Sequence, residues 1–70
     1  MPIFLAPLGE KLRVVRIATD DKLRKHLESL GITVNCELSI ISSTGGNVVL
    51  MVKDGRLALD RDIASKIFVA

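Results

Sequence analysis

The sequence predicts a mainly β protein: a small, partly open barrel of five short strands, with one inserted α-helix and a short helical turn before the last strand. Three observations carry this. Apolar residues alternate with polar ones around Leu12 and Val14, from Cys36 to Ile40, and at Leu57 and Leu59, the period of strands with one buried face. Gly-containing turn signals separate the later segments, as a meander of antiparallel strands requires. One stretch alone, at Leu23, Leu27 and Leu30, follows the i, i+4, i+7 spacing of a helix.

In chain order, Pro2 and Pro7 mark an irregular lead-in, with a turn at Gly9. Glu10 to Ala18 then reads as a strand with Leu12 and Val14 on one face. The apolar parity slips at Val15 and Ile17, and a period of two cannot survive that slip. A bulge, or a strand bending between two sheets, is therefore expected here. Thr19-Asp20-Asp21 opens the helix: Thr19 or Asp20 can cap exposed amides, and the acids sit at the positive end of the dipole. The leucine stripe follows, Arg24 and Glu28 are spaced for an i,i+4 pair, and Gly31 supplies a left-handed stop.

From Cys36 the pattern is that of strands. Ser42 to Asn47 reads as a turn-rich hairpin loop, and Asp54-Gly55 as a two-residue hairpin turn. Between them, Val48 to Val52 is apolar on both faces. If Val48, Leu50 and Val52 point into the barrel, Val49 and Met51 point out and need a cover. The leucine stripe of the helix is the economical one, and a partner protein the other. Asp60 to Ala64 forms one helical turn before a last strand at Ile67 to Val69.

At 70 residues the chain has room for one domain, spanning 1–70. Its 49% hydrophobic and 26% charged residues are those of a globular domain. The lone Cys36 excludes an internal disulfide or a multi-cysteine zinc site. The start lacks a basic n-region, and no apolar run approaches the ~20 residues of a bilayer span. A cytoplasmic protein without direct membrane insertion is expected.

Catalysis finds few supports. His26 is the single histidine, on the polar helix face; Cys36 shares the apolar parity of Leu38 and Ile40; Ser42, Ser43 and Ser65 lack a local base. Gly45-Gly46-Asn47 runs into Val48, not into the Gly-Lys-Ser/Thr of a P-loop. His26, Cys36 and Glu37 match no ligand spacing. The reading is a non-enzyme with no catalytic residues, no cofactor and no built-in metal site. Nucleic acid is the rival ligand class. Lys11, Arg13, Arg16, Lys22, Arg24 and Lys25 hold six of the ten cations, and a small barrel using Arg13, Arg16, Lys22 and Lys25 could bind a single strand. Against it stand a net charge of only +2 and the absence of Trp and Tyr beside Phe4 and Phe68.

The order of these segments resembles the FeoA family of small ferrous-iron-transport accessory proteins, and a related domain of some iron-dependent repressors. Gly9 is followed by Val14-Val15-Arg16-Ile17, then Leu27-Glu28-Ser29-Leu30-Gly31-Ile32, Cys36-Glu37-Leu38-Ser39-Ile40, and Gly55-Arg56-Leu57-Ala58-Leu59 with Ala64, Ile67 and Val69. The family usually has glycine where Asn35 stands; asparagine also tolerates a left-handed backbone. It commonly has arginine where Asp60 stands, ahead of Arg61. The resemblance implies an SH3-like barrel with a helical insertion, transition-metal transport as the setting, and a cytosolic role beside FeoB, a membrane transporter with a GTPase domain. No catalytic residues carry over. The expected function is an accessory or regulatory module that contacts the transporter through Val49 and Met51, with Lys22 and Lys25 steering approach. Exposed strand edges leave self-association open.

Overall fold

In the computed structural model, which describes residues 1–53 and 55–70, a 3₁₀ turn at Ile3–Leu5 precedes seven elements. These are β1 (Lys11–Ile17), α1 (Asp21–Ser29), β2 (Glu37–Thr44), β3 (Asn47–Val52), β4 (Gly55–Leu59), α2 (Arg61–Ala64) and β5 (Ile67–Val69). The strands pair antiparallel in the order β4-β3-β2-β1-β5. This is the expected SH3-like barrel with a helix inserted between its first two strands.

β1 pairs with a different strand along each half of its length. Lys11 to Arg13 pair with Ser39 to Glu37 of β2, and Val14 to Ile17 pair with Val69 to Ile67 of β5. The hand-over is a bulge: Val14 faces Val69 and Arg16 faces Phe68, leaving Val15 unopposed and exposed. That extra residue returns Ile17 to the core beside Leu12 and Val14, which accounts for the parity slip in the sequence. A second bulge, at Ile41 between Ile40 and Ser42, is not evident from the pattern. It leaves Ile41 exposed and bends β2 in turn.

The loop expected at Ser42 to Asn47 is shorter than the composition suggests. β2 continues through Thr44 and β3 begins at Asn47, so only Gly45 and Gly46 turn. Both have positive φ, 60° and 89°, the requirement of the tight turn that suits strand twist. Serine and threonine extend as readily as they turn once a partner strand supplies the hydrogen bonds. In the second hairpin Gly55 pairs with Val52 and Arg56 with Met51, so Gly55, expected in the turn, is instead the first residue of β4; Asp54, its expected companion in the turn, lies outside the described residues.

α1 opens and closes as its sequence prescribes. The Asp20 carboxylate accepts from the Leu23 N–H at 2.9 Å. At the other end Gly31 (φ +94°) donates to Glu28 and Ile32 donates to Leu27, the paired bonds of a Schellman stop. Leu27 and Ile32 are fully buried beside that stop, while Leu23 and Leu30 are half-buried. Arg24 does not reach for Glu28. Its guanidinium donates to the carbonyls of Ile17 and Thr19 at 3.1 and 3.4 Å, tying the helix to the end of β1. Asn35 has φ +74°, the left-handed conformation expected where the family has glycine.

The lead-in is more ordered than its prolines suggest. Ile3 is fully buried, the Met1 ammonium donates to the Val69 carbonyl at 2.9 Å, and Val69 donates back to Met1 at 2.8 Å. Pro2 bridges Phe68, so the first residues cover the outer edge of β5. One core results, from Ile3 through Val14, Leu27, Ile40 and Leu50 to Ile67 and Val69.

Candidate partner-binding surface

The register of the four paired strands β1 to β4 fixes what the outside of the barrel displays. Lys11 pairs with Ser39, Ser39 with Met51, and Met51 with Arg56, so these residues form one row across the sheet. A parallel row holds Ser42, Val49 and Ala58. On β3, Val48, Leu50 and Val52 are buried, so the expected inward set is the observed one. Val49 is half-buried and Met51 is 40% exposed. Period-two geometry alone dictates this split.

The leucine stripe does not provide the cover that the sequence favours for Met51. Leu27 turns into the barrel, and the Schellman stop brings Gly31 beside the Val52 side chain, where a Cβ on Gly31 would lie 3.9 Å from its Cγ2. The helix therefore closes the barrel interior and leaves the outer sheet face open. A shallow groove lined by Lys11, Glu37, Leu38, Ser39, Met51 and Val52 runs over that face. Cations flank its methionine: Lys11 and Arg56 share the Met51 row, and Arg13 pairs across the strands with Glu37.

Of the four residues singled out in the sequence, Val49 and Met51 lie together on this face. Lys22 and Lys25 lie on α1, exposed. The cations set in the Met51 row are Lys11 and Arg56, which the sequence reading did not assign to the contact. The Gly45-Gly46 hairpin sets the β2–β3 register as far as Ser42, and the bulge at Ile41 then shifts it by one residue, which brings Ser39 rather than Ile40 opposite Met51.

The basic cluster before residue 26 is less available for phosphate than its count suggests. Arg24 is committed to two backbone carbonyls, and the Arg16 guanidinium lies over the Phe68 ring, 5.6 Å from its centroid. A second concavity, between the β2–β3 turn and α2, is lined by Gly45, Asn47, Asp60, Arg61 and Asp62. Two of its polar side chains are used locally: Asn47 accepts from the Arg61 N–H at 2.8 Å, and Asp60 caps Ile63 at 2.9 Å. So Asp60, where the family commonly has arginine, serves as a helix cap.

Cys36 is half-buried, with its sulfur 3.4 Å from the Thr33 N–H. Among the described residues no group of three or more His, Cys, Asp or Glu side chains is placed to hold a metal ion. No helix among them is long and apolar enough to cross a membrane.

This architecture and its sequence have relatives. A protein of Methanocaldococcus jannaschii, named as an Fe(2+) transport protein A, is 31% identical over 68 residues, covering 97% of this chain and 83% of its own. The crystal structure of an iron uptake regulatory protein, FeoA, matches with a TM-score of 0.88 at 24% identity, over 99% of this chain and 93% of that one. A manganese-dependent transcriptional repressor holds the same fold (TM-score 0.87, 19% identity) over all of this chain but 40% of its own length, so the fold also occurs inside longer proteins. The family model described as the FeoA domain matches residues 1–70, the whole span from the buried Ile3 to the closing strand β5, and on that match the chain belongs to the FeoA domain family.

Proposed function

We propose that this chain is a non-enzymatic accessory or regulatory protein of ferrous iron uptake, acting in the cytoplasm by binding the cytosolic face of an FeoB-type transporter. The observation that carries this reading is the open outer face around Met51, an exposed methionine in a row between Lys11 and Arg56, on a member of the FeoA family. Methionine adapts to irregular apolar surfaces, and flanking cations steer an acidic partner into register. The relative from Methanocaldococcus jannaschii, named for Fe(2+) transport, supports the iron assignment. Lys22 and Lys25 on α1 add to the attraction at a distance.

The test is a titration of this chain against the cytosolic GTPase domain of an FeoB-type transporter, with and without guanine nucleotide and at low and high salt. Saturable binding that survives high salt, and is lost in Met51→Lys, is the expected result. An apolar contact loses little with ionic strength, whereas binding to nucleic acid falls steeply. Absence of binding in every nucleotide state, or full binding by Met51→Lys, refutes the assignment of this face.

A further inference from the structure

The five-stranded order β4-β3-β2-β1-β5 leaves two lateral edges, and the molecule treats them differently. The β5 edge is covered: Met1 exchanges hydrogen bonds with Val69, and Pro2, which has no N–H to offer, bridges Phe68. Among the described residues β4 pairs with β3 on one side and with no other strand on its second side.

Which groups that edge presents follows from the hairpins. In a two-residue hairpin the pair flanking the turn is hydrogen-bonded, and the pattern alternates from there. Thr44 and Asn47 flank the Gly45-Gly46 turn, so Asn47, Val49 and Met51 direct their main-chain groups to β2. Val48, Leu50 and Val52 then direct theirs to β4, where their partners are Leu59, Leu57 and Gly55. The intervening residues, Arg56 and Ala58, face outward. Their N–H and C=O groups have no turn, loop or cap partner among the described residues.

We propose that this open β4 edge pairs antiparallel with the same edge of a second copy, centred on Leu57. The edge is complementary to itself in that register. Arg56 of each copy faces Ala58 of the other, which yields four main-chain hydrogen bonds and sets no two cations opposite each other. On the inner side Leu57 meets Leu57 across the axis, so two half-buried leucines lose their remaining exposure. Leu59 of each copy falls opposite Gly55 of the other, large against small. The alternative register that faces Arg56 with Arg56 places like charges directly opposite. A single pair of five-residue strands buries less than the roughly 1,200 Å² of a stable interface, so the dimer is a transient one that forms at high concentration. It does not depend on the transporter reading.

The test is sedimentation of this chain from micromolar to millimolar concentration, with amide hydrogen exchange at both ends of the range. The mass rises from one chain toward two, and the Arg56 and Ala58 amides gain protection with concentration. Ala58→Pro removes an outward N–H at an edge position that tolerates proline, and weakens association by about tenfold or more while monomer spectra are unchanged. Ala58→Arg, which sets a cation opposite Arg56 of the second copy, does the same without altering the backbone. A mass of one chain up to millimolar concentration overturns the proposal. So does a dimer that survives both variants, or edge protection that arises only when a different protein is added.

Discussion

Leu27→Ala is the sharpest probe of how the inserted helix is held. Leu27 is fully buried in the core, and its carbonyl accepts the Ile32 N–H that closes the helix. Truncation removes three carbons from an apolar site. At about 0.8 kcal/mol per buried methylene, transfer alone costs about 2.4 kcal/mol. The cavity adds to this, because helix and sheet relax only partly, and the expected loss is about 3–4 kcal/mol. A 70-residue domain has about 3.5–10 kcal/mol of stability in all, at 0.05–0.15 kcal/mol per residue, so the variant approaches or passes half-unfolding. Each 1 kcal/mol shifts Tm by about 4–8 °C in a domain of this size, so a fall of about 12 °C or more is expected. Urea and thermal unfolding followed by circular dichroism measure it, with the half-buried Leu30→Ala as the comparison, expected to lose less. A Leu27→Ala protein within about 1 kcal/mol of wild type refutes the reasoning. The stripe would then not be core, and the helix would be held by Arg24 and its caps alone.

Three further outcomes follow from the same geometry. A Cβ on Gly46 would lie 2.5 Å from Cγ of Arg61, at φ +89°, so Gly46→Ala should destabilise by about 1–3 kcal/mol. Arg61→Ala in that background should recover the steric part but not the backbone part, which a double-mutant cycle of unfolding free energies reads directly. Asn35→Ala should cost about 1 kcal/mol at φ +74°, whereas Asn35→Gly should be neutral or stabilising; equal values for the two variants would exclude a left-handed requirement. Met51→Lys, at an exposed position on the sheet face, should change stability by about 0.5 kcal/mol or less, so its loss of partner binding can be separated from unfolding by denaturation curves.

The candidate surface shows how far pattern reading reaches. Val49 and Met51 are legible as outward residues, because alternation along a strand is a local property and the buried set Val48, Leu50, Val52 fixes the opposite parity. Lys11, Ser39 and Arg56 are not legible in the same way. They share the Met51 row through three antiparallel registers: a hairpin and the bulge at Ile41 set the one between β2 and β3, a second hairpin the one between β3 and β4, and the one between β1 and β2 joins strands that the helix separates in the chain. The expected cover of Met51 by the helix fails for a related reason. Periodicity states that Leu23, Leu27 and Leu30 share a face, but not whether that face meets the inside or the outside of a sheet.

The sequence by itself determined the order of the elements and several local features: the helix from Asp20 to Gly31, the bend of the first strand at Val15, the left-handed turn at Asn35 and the family to which the chain belongs. Caps, stops, bulges and strand parity act over a few residues, and so are written in adjacent side chains. Only the tertiary structure decided the second bulge at Ile41, the docking of Met1 and Pro2 on β5, the turning of Arg24 to Ile17 and Thr19 rather than to Glu28, and the openness of β4. Each of these joins groups that are distant in sequence or chooses between two local options of nearly equal energy. Closing the barrel settles them together, because buried donors and acceptors must all find partners at once.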